Sequence, residues 1–158
     1  FNIPTYAKFI NNVCQHFKVT DMVGHSLGGA TCIYYQHFYQ NNDIQKIVLL
    51  GAPSDLRILL ENFTQLLSIH SRIFKYFEKH YQDHFNLKID EFSSVHFGKT
   101  IQTKGVIFHD INDEVVKIAE AHKLLSSWKN TTFIETTNLG HSMHDSSVYS
   151  KIYQFLQS

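Results

Sequence analysis

An excess of charge is missing from this sequence: 14 Lys and Arg face 14 Asp and Glu, for a formal net charge of zero. With no overall field and no basic block, nothing would gather nucleic acid or an anionic membrane surface. No run of about 18 apolar residues occurs, which excludes a hydrophobic bilayer span. The first residues lack the basic start and apolar core of a secretory signal. Cysteine is scarce. Cys14 and Cys32 provide neither a disulfide framework nor metal-ligand spacing. They suit a reducing compartment as buried thiols, and the cytoplasm is the expected location. P-loop and dinucleotide fingerprints are also missing, as are internal repeats, low-complexity tracts and linkers.

What is present suits one domain. The chain has 158 residues, 43% of them hydrophobic and 18% charged, enough for a single core in an ordinary globular protein. It starts at Phe1, already inside an element, so a piece of a longer chain is expected.

The most informative stretch is Met22-Val23-Gly24-His25-Ser26-Leu27-Gly28-Gly29-Ala30. An apolar run ends at Gly24, a Gly-x-Ser-x-Gly follows, and helix-compatible residues continue. In that strand–turn–helix setting a serine can be held out as a nucleophile. Gly24 is expected to relieve crowding on the strand side, and Gly28 to let the helix approach the strand. The serine itself is expected in strained backbone geometry.

The surrounding pattern alternates strands and helices, which predicts an α/β domain with a parallel sheet of about four strands. A helix is predicted over Pro4–Phe17, with Tyr6, Phe9, Ile10, Val13 and Phe17 on one face. Strands are predicted at Val19–Val23, Ile44–Leu50, Gly105–His109 and Thr131–Thr136. Helices are predicted at Leu27–Gln40, at Val115–Trp128 (with Val115, Ala119, His122 and Leu125 in line), and at a closing segment carrying Val148, Ile152, Phe155 and Leu156. Between the second and third strands, about residues 55–100, two apolar helical stripes form an insertion. Such stripes can pack on the sheet edge, or act as a lid whose inner face, with Phe63, Leu66, Phe74 and Phe77, lines an acyl pocket.

A serine hydroxyl needs a base within hydrogen-bond reach and a third group to orient that base. On a parallel sheet such residues gather beyond the carboxyl ends of strands. Two segments qualify. One, after the third strand, carries Asp110 and Asp113; the other, after the fourth, carries His141 and His144. His141 directly follows a glycine, whereas His144 stands where a helix would start, beside the capping groups Ser142 and Asp145. His25, next to the serine, is expected to support the turn. His80 and His84 lie four apart, but Tyr81 stands where a zinc-protease helix needs Glu, so no metal is expected. No cofactor is expected either.

With Ser, Asp and His in that order, the chain resembles the C-terminal part of an α/β-hydrolase-fold enzyme of the serine esterase and lipase kind. Gly24-His25-Ser26-Leu27-Gly28-Gly29 resembles the nucleophile elbow. His109-Asp110-Ile111-Asn112-Asp113-Glu114-Val115-Val116 resembles the His-Gly-x-x-Asp-x-x-Val segment that carries the acid. Leu139-Gly140-His141 resembles the Gly-His of the base. Two positions depart from the pattern: Asp110 replaces a glycine, and Lys117 stands where a proline often follows. The resemblance implies Ser26 as nucleophile, His141 as base, Asp113 rather than Asp110 as acid, and the Leu27 N–H as an oxyanion donor. It also implies that four strands usual before the nucleophile strand are lacking. The loop supplying a second oxyanion N–H would go with them, leaving the first strand an open edge. The expected function is hydrolysis of a small ester, thioester or amide through an acyl-enzyme, with a small acyl-bearing molecule as partner. The alternatives are an acyltransferase, a non-catalytic binding protein, or a truncated piece inactive alone.

Overall fold

The computed structural model describes residues 2–70, 72–85 and 88–158, with the side chains of residues 63 and 66 outside the description. It opens with helix α1 (Ile3–His16), which starts where the Asn2 side chain accepts the Thr5 N–H at 2.9 Å and Pro4 occupies the first turn. Its packed face matches the expected one only in part, with Tyr6, Ile10 and Val13 half-buried. Ile3 and Ala7 are buried and Ile10 and Cys14 half-buried, a stripe at i, i+4, i+7 and i+11 that leaves Phe9 and Phe17 in solvent.

Strand β1 (Asp21–His25) begins two residues later than expected and runs straight into helix α2 (Leu27–Tyr39). Strand β2 (Lys46–Leu50) follows. Helices α3 (Leu56–Leu66) and α4 (Arg72–Phe85), a 3-10 turn (Ile89–Glu91) and short helix α5 (Ser94–Gly98) then lead to strand β3 (Lys104–Asp110). Helix α6 (Ile118–Ser127), strand β4 (Thr131–Thr136) and helix α7 (Ser146–Gln157) complete the chain. Helix α6 starts three residues later than expected, after a loop in which the Asp113 side chain accepts the N–H groups of Val115 and Val116. Its buried face is Glu120, Ala121, Leu124 and Ser127 rather than the expected Ala119 and His122.

Among the described residues the four strands form one parallel sheet in the order β1-β2-β3-β4, with Val23 opposite Val48 and Leu49 opposite Ile107. Sequential neighbours joined by right-handed crossovers place the connecting helices on one face. There Ile47, Leu49 and Ile107 meet Ala7, Ile33, Ala121 and Leu124. The alternate residues Val48, Leu50, Val106 and Phe108 pack on the other face against Val148, Ile152 and Phe155 of α7. That second face is not covered over β1, where Val23 is 51% exposed. Among the described residues, no helix is long and apolar enough to cross a membrane.

Between β2 and β3, Leu56 and Leu59 of α3 and Tyr81 of α4 are buried. Arg57 binds Glu78 of α4 at 2.6 Å, also pairs with Asp90, and lies 5.1 Å above the Phe74 ring.

Candidate active site

Ser26 sits on the turn between β1 and α2, at φ 53° and ψ −123°, a region that costs a non-glycine residue on the order of 1–3 kcal/mol. Neighbouring structure enforces it. The Ser26 N–H continues the sheet by donating to the Leu50 carbonyl at 2.8 Å, while its carbonyl accepts the Gly29 N–H at 2.9 Å and begins the helix. The side chain makes no capping bond and is left to project outward.

Two glycines permit this turn, and they are not the pair expected. A Cβ on Gly24 would fall 2.6 Å from the Gly28 carbonyl oxygen and 2.7 Å from Gly29 Cα, so strand and helix touch there through backbone. On the helix side the close approach belongs to Gly29, whose added Cβ would lie 2.6 Å from that of Ala52. At Gly28 nothing lies within 4 Å. The expected role of Gly28 therefore passes to its neighbour, because helix phase turns residue 29 toward the sheet and residue 28 away.

The loop after β4 carries His141 to this turn. Its Nε2 stands 3.0 Å from Ser26 Oγ and its Nδ1 2.7 Å from Asp113 Oδ2. A carboxylate only accepts, so Nδ1 carries the proton and Nε2 is free to accept from the hydroxyl. Asp113 lies in the loop after β3, where its Oδ1 accepts the N–H groups of Val115 (2.9 Å) and Val116 (2.8 Å). Gly51, at φ 54°, lies beneath the pair. A Cβ there would be 3.3 Å from both Asp113 Oδ2 and His141 Nδ1, so a side chain would crowd them on an already strained backbone.

Asp110 is turned elsewhere. Its Oδ2 accepts the Thr136 hydroxyl at 2.9 Å and the Leu139 N–H at 3.0 Å, and its Oδ1 accepts the Asn112 N–H at 2.9 Å. It thus ties the loop after β3 to the loop that bears His141. Both carboxylates are buried, and burial pushes their pKa values up. For Asp113 the hydrogen bonds from His141 and the Val116 N–H outweigh that effect. For Asp110 those from the Leu139 and Asn112 N–H groups do so. Each carboxyl ends below its ordinary range.

His25 reaches beyond its own turn: its Nε2–H donates to the His141 carbonyl at 2.7 Å, fastening the two loops together. The sequence carried no signal for this contact, which joins positions 116 apart. His144 bonds the Tyr149 hydroxyl, and Asp145 caps α7 by accepting the Ser147 N–H at 2.8 Å.

Ser26 and Leu27 border a cavity of about 420 Å³. Leu56, Leu59 and Leu60 of α3 and Phe77, His80 and Tyr81 of α4 form its wall, and Asn2 reaches its rim. Of the four residues expected there, Phe77 lines it and Phe74 instead lies under Arg57. The side chains of Phe63 and Leu66 lie outside the described residues. His80 and His84 stack at 4.2 Å, and among the described residues no group of three or more His, Cys, Asp or Glu could hold a metal ion.

No curated protein matches the chain by sequence. Solved structures do resemble it. An alpha/beta hydrolase enzyme, MGS-MChE2, from a lagoon-sediment metagenome of Mar Chica, Morocco, superposes with a TM-score of 0.72 at 13% identity, over 99% of this chain and 70% of its own. An esterase, EaEST, from Exiguobacterium antarcticum gives 0.72 at 16% identity, over 99% and 74%. The meta-cleavage product hydrolase CumD of Pseudomonas fluorescens IP01 gives 0.67 at 16% identity, over 99% and 70%. At such identities the likeness is one of fold. The family described as the alpha/beta hydrolase fold matches residues 1–100 directly. Since that stretch is more than half the sequence and holds the Ser26 turn, the chain belongs to the alpha/beta hydrolase fold family.

Proposed function

We propose that this chain carries the catalytic machinery of a serine hydrolase acting on a small ester, thioester or amide. The observation that carries the reading is the continuous contact Ser26 Oγ–His141 Nε2 (3.0 Å) and His141 Nδ1–Asp113 Oδ2 (2.7 Å), on a serine held at positive φ. His141 takes the hydroxyl proton as Ser26 Oγ bonds to the acyl carbon. Asp113 holds the imidazole tautomer and stabilises the imidazolium. His141 then returns the proton to the leaving group, and water repeats the sequence to release the acid. The Leu27 N–H, in the first turn of α2 and without an intrahelical partner, faces the developing oxyanion. One such donor is worth about 3–4 kcal/mol.

The leucines and Phe77 above Ser26 support an apolar acyl group, in a cavity of about 420 Å³, inside the ordinary ligand-pocket range of about 300–1,000 Å³. The helices over residues 55–100 act as the lid of this single domain in the same reading. A fluorophosphonate probe, which phosphonylates an activated serine, tests it. Wild type should label and Ser26→Ala should not. Failure of wild type to label would favour the non-catalytic binding alternative.

A further inference from the structure

Strand β3 ends in two buried polar residues, His109 and Asp110, both with 0% exposure. Asp110 is accounted for by the loop it ties to Thr136 and Leu139. His109 has no part in the proton path. Its Nε2 lies 2.7 Å from the Val116 carbonyl oxygen, so the proton is on Nε2 and is donated there. The same nitrogen stands 3.6 Å from Asp113 Oδ2, too far for a hydrogen bond but on the side of the carboxylate that meets His141. The opposite nitrogen, Nδ1, is buried with no hydrogen-bond partner among the described residues.

That orphan nitrogen matters. A buried polar atom without a partner costs on the order of 1–3 kcal/mol, which a phenylalanine or leucine of similar bulk would not incur. The imidazole therefore does something at Nε2 that an apolar ring could not. Val116, which it holds, donates its N–H to Asp113 Oδ1 at 2.8 Å, and the Asp113 N–H closes the loop onto the Asp110 carbonyl at 3.1 Å. Among the described residues the segment between β3 and α6 forms no helix or strand, so such bonds, with those of the Ile111 N–H to the Thr136 carbonyl and the Val115 N–H to Asp113 Oδ1, fix its path.

We propose that His109 is a positioning residue for Asp113. By anchoring Val116, whose N–H holds Asp113 Oδ1, it fixes the carboxylate at the distance His141 requires at Oδ2. The path runs from His109 Nε2–H to the Val116 carbonyl, from the Val116 N–H to Asp113, and from Asp113 to His141 and Ser26. The catalytic part of this inference rests on the serine-hydrolase reading; the positional part does not.

Three substitutions separate donor from bulk. His109→Phe fills the space without a donor. His109→Gln places an amide N–H where Nε2 stood. His109→Asn is polar but too short to reach Val116. Two readouts are taken on the whole chain: turnover of a p-nitrophenyl ester, and the low-field proton NMR resonance of His141 Nδ1–H bonded to Asp113. With the carboxylate released by up to about 1 Å, kcat of the Phe and Asn variants falls ten- to a hundredfold while KM holds within about twofold. Their low-field resonance shifts upfield or vanishes. The Gln variant retains the resonance and keeps kcat within about threefold. Should the Phe variant fail to fold, the Asn variant gives the same answer. Unchanged resonance and kcat in both the Phe and Asn variants would overturn the proposal, as would equal impairment of all three with the resonance intact. The resonance needs no turnover, so a wild-type chain that shows it but labels with no probe counts against the hydrolase reading, not against His109.

Discussion

Alanine at Gly24 and at Gly28 should have opposite consequences, although both glycines belong to the same short motif. At Gly24 the added Cβ would lie 2.6–2.7 Å from three backbone atoms of Gly28 and Gly29. Ordinary contact begins near 3.4 Å, so strand and helix must separate by roughly 0.8 Å at the place that sets the Ser26 conformation. None of the three atoms can rotate away. Overpacking of this kind costs about 1–3 kcal/mol, or a Tm lower by about 3–10 °C for a chain of this size. Displacing Ser26 by nearly as much from His141 should lower kcat about a hundredfold. At Gly28 the Cβ meets nothing within 4 Å, and alanine in a helix is favoured over glycine by about 0.5–1 kcal/mol. Gly28→Ala should therefore leave kcat unchanged and keep or raise Tm by a few degrees. Thermal melts and p-nitrophenyl ester turnover on the two variants decide it. A Gly24→Ala chain with wild-type Tm and kcat would refute the reasoning, and so would a Gly28→Ala chain damaged as badly.

Asp113→Asn removes the group that sets the His141 tautomer and should lower kcat about ten-thousand-fold, with little change in the melt. Asp110→Asn spoils one of the acceptors for Thr136 and Leu139 and should cost about 1–3 kcal/mol of stability, with a far smaller kinetic loss; the reverse ranking in kcat would make Asp110 the acid. Both carboxyls lie below their ordinary range in the folded chain, so their stabilisation is complete above the unfolded value of about 3.9 and disappears as pH falls through the folded values. The urea midpoint should hold from pH 7 to 5 and drop below about 4, less steeply in Asp110→Asn. Gly105→Ala would drive a Cβ to 2.1 Å from the buried Trp128 indole, and a circular-dichroism melt should show one of the largest losses of any single methyl group, several kcal/mol. Val23→Lys places a charge on the exposed flank of edge strand β1 and should suppress any concentration-dependent association seen by sedimentation velocity, leaving turnover untouched.

The parts of this fold legible in the sequence are those governed by short-range chemistry. The apolar run before Ser26 and the β-rich Thr131–Thr136 segment announce strands, and the continuous apolar stretch ending at Leu50 a buried parallel one. The order Ser26, Asp113, His141 is visible because each follows a strand, and a parallel sheet brings the ends of its strands to one edge. What escaped the sequence is rotational phase. One residue turns a helix by 100°, and an error of that size separates Gly28 from Gly29 and Ala119 from Glu120. A similar error in phase on α1 keeps Ile10 on the packed face but replaces Phe9 and Phe17 by Ile3, Ala7 and Cys14. Hydrophobic periodicity shows that a helix has a buried face but fixes its direction loosely when aromatic residues stand on both sides of it. Contacts with the loop after β2 decide the rest: Ala52 against Gly29, and Ser54 bonded to the buried Glu120 at 2.5 Å. The same limit explains His25, Asp110 and His109. Each is polar, close to a motif residue, and bonded to a carbonyl or N–H that only the assembled loops bring within reach. The groups that would perform the reaction were legible by residue type and order, whereas those that hold them in place became visible only from their hydrogen bonds.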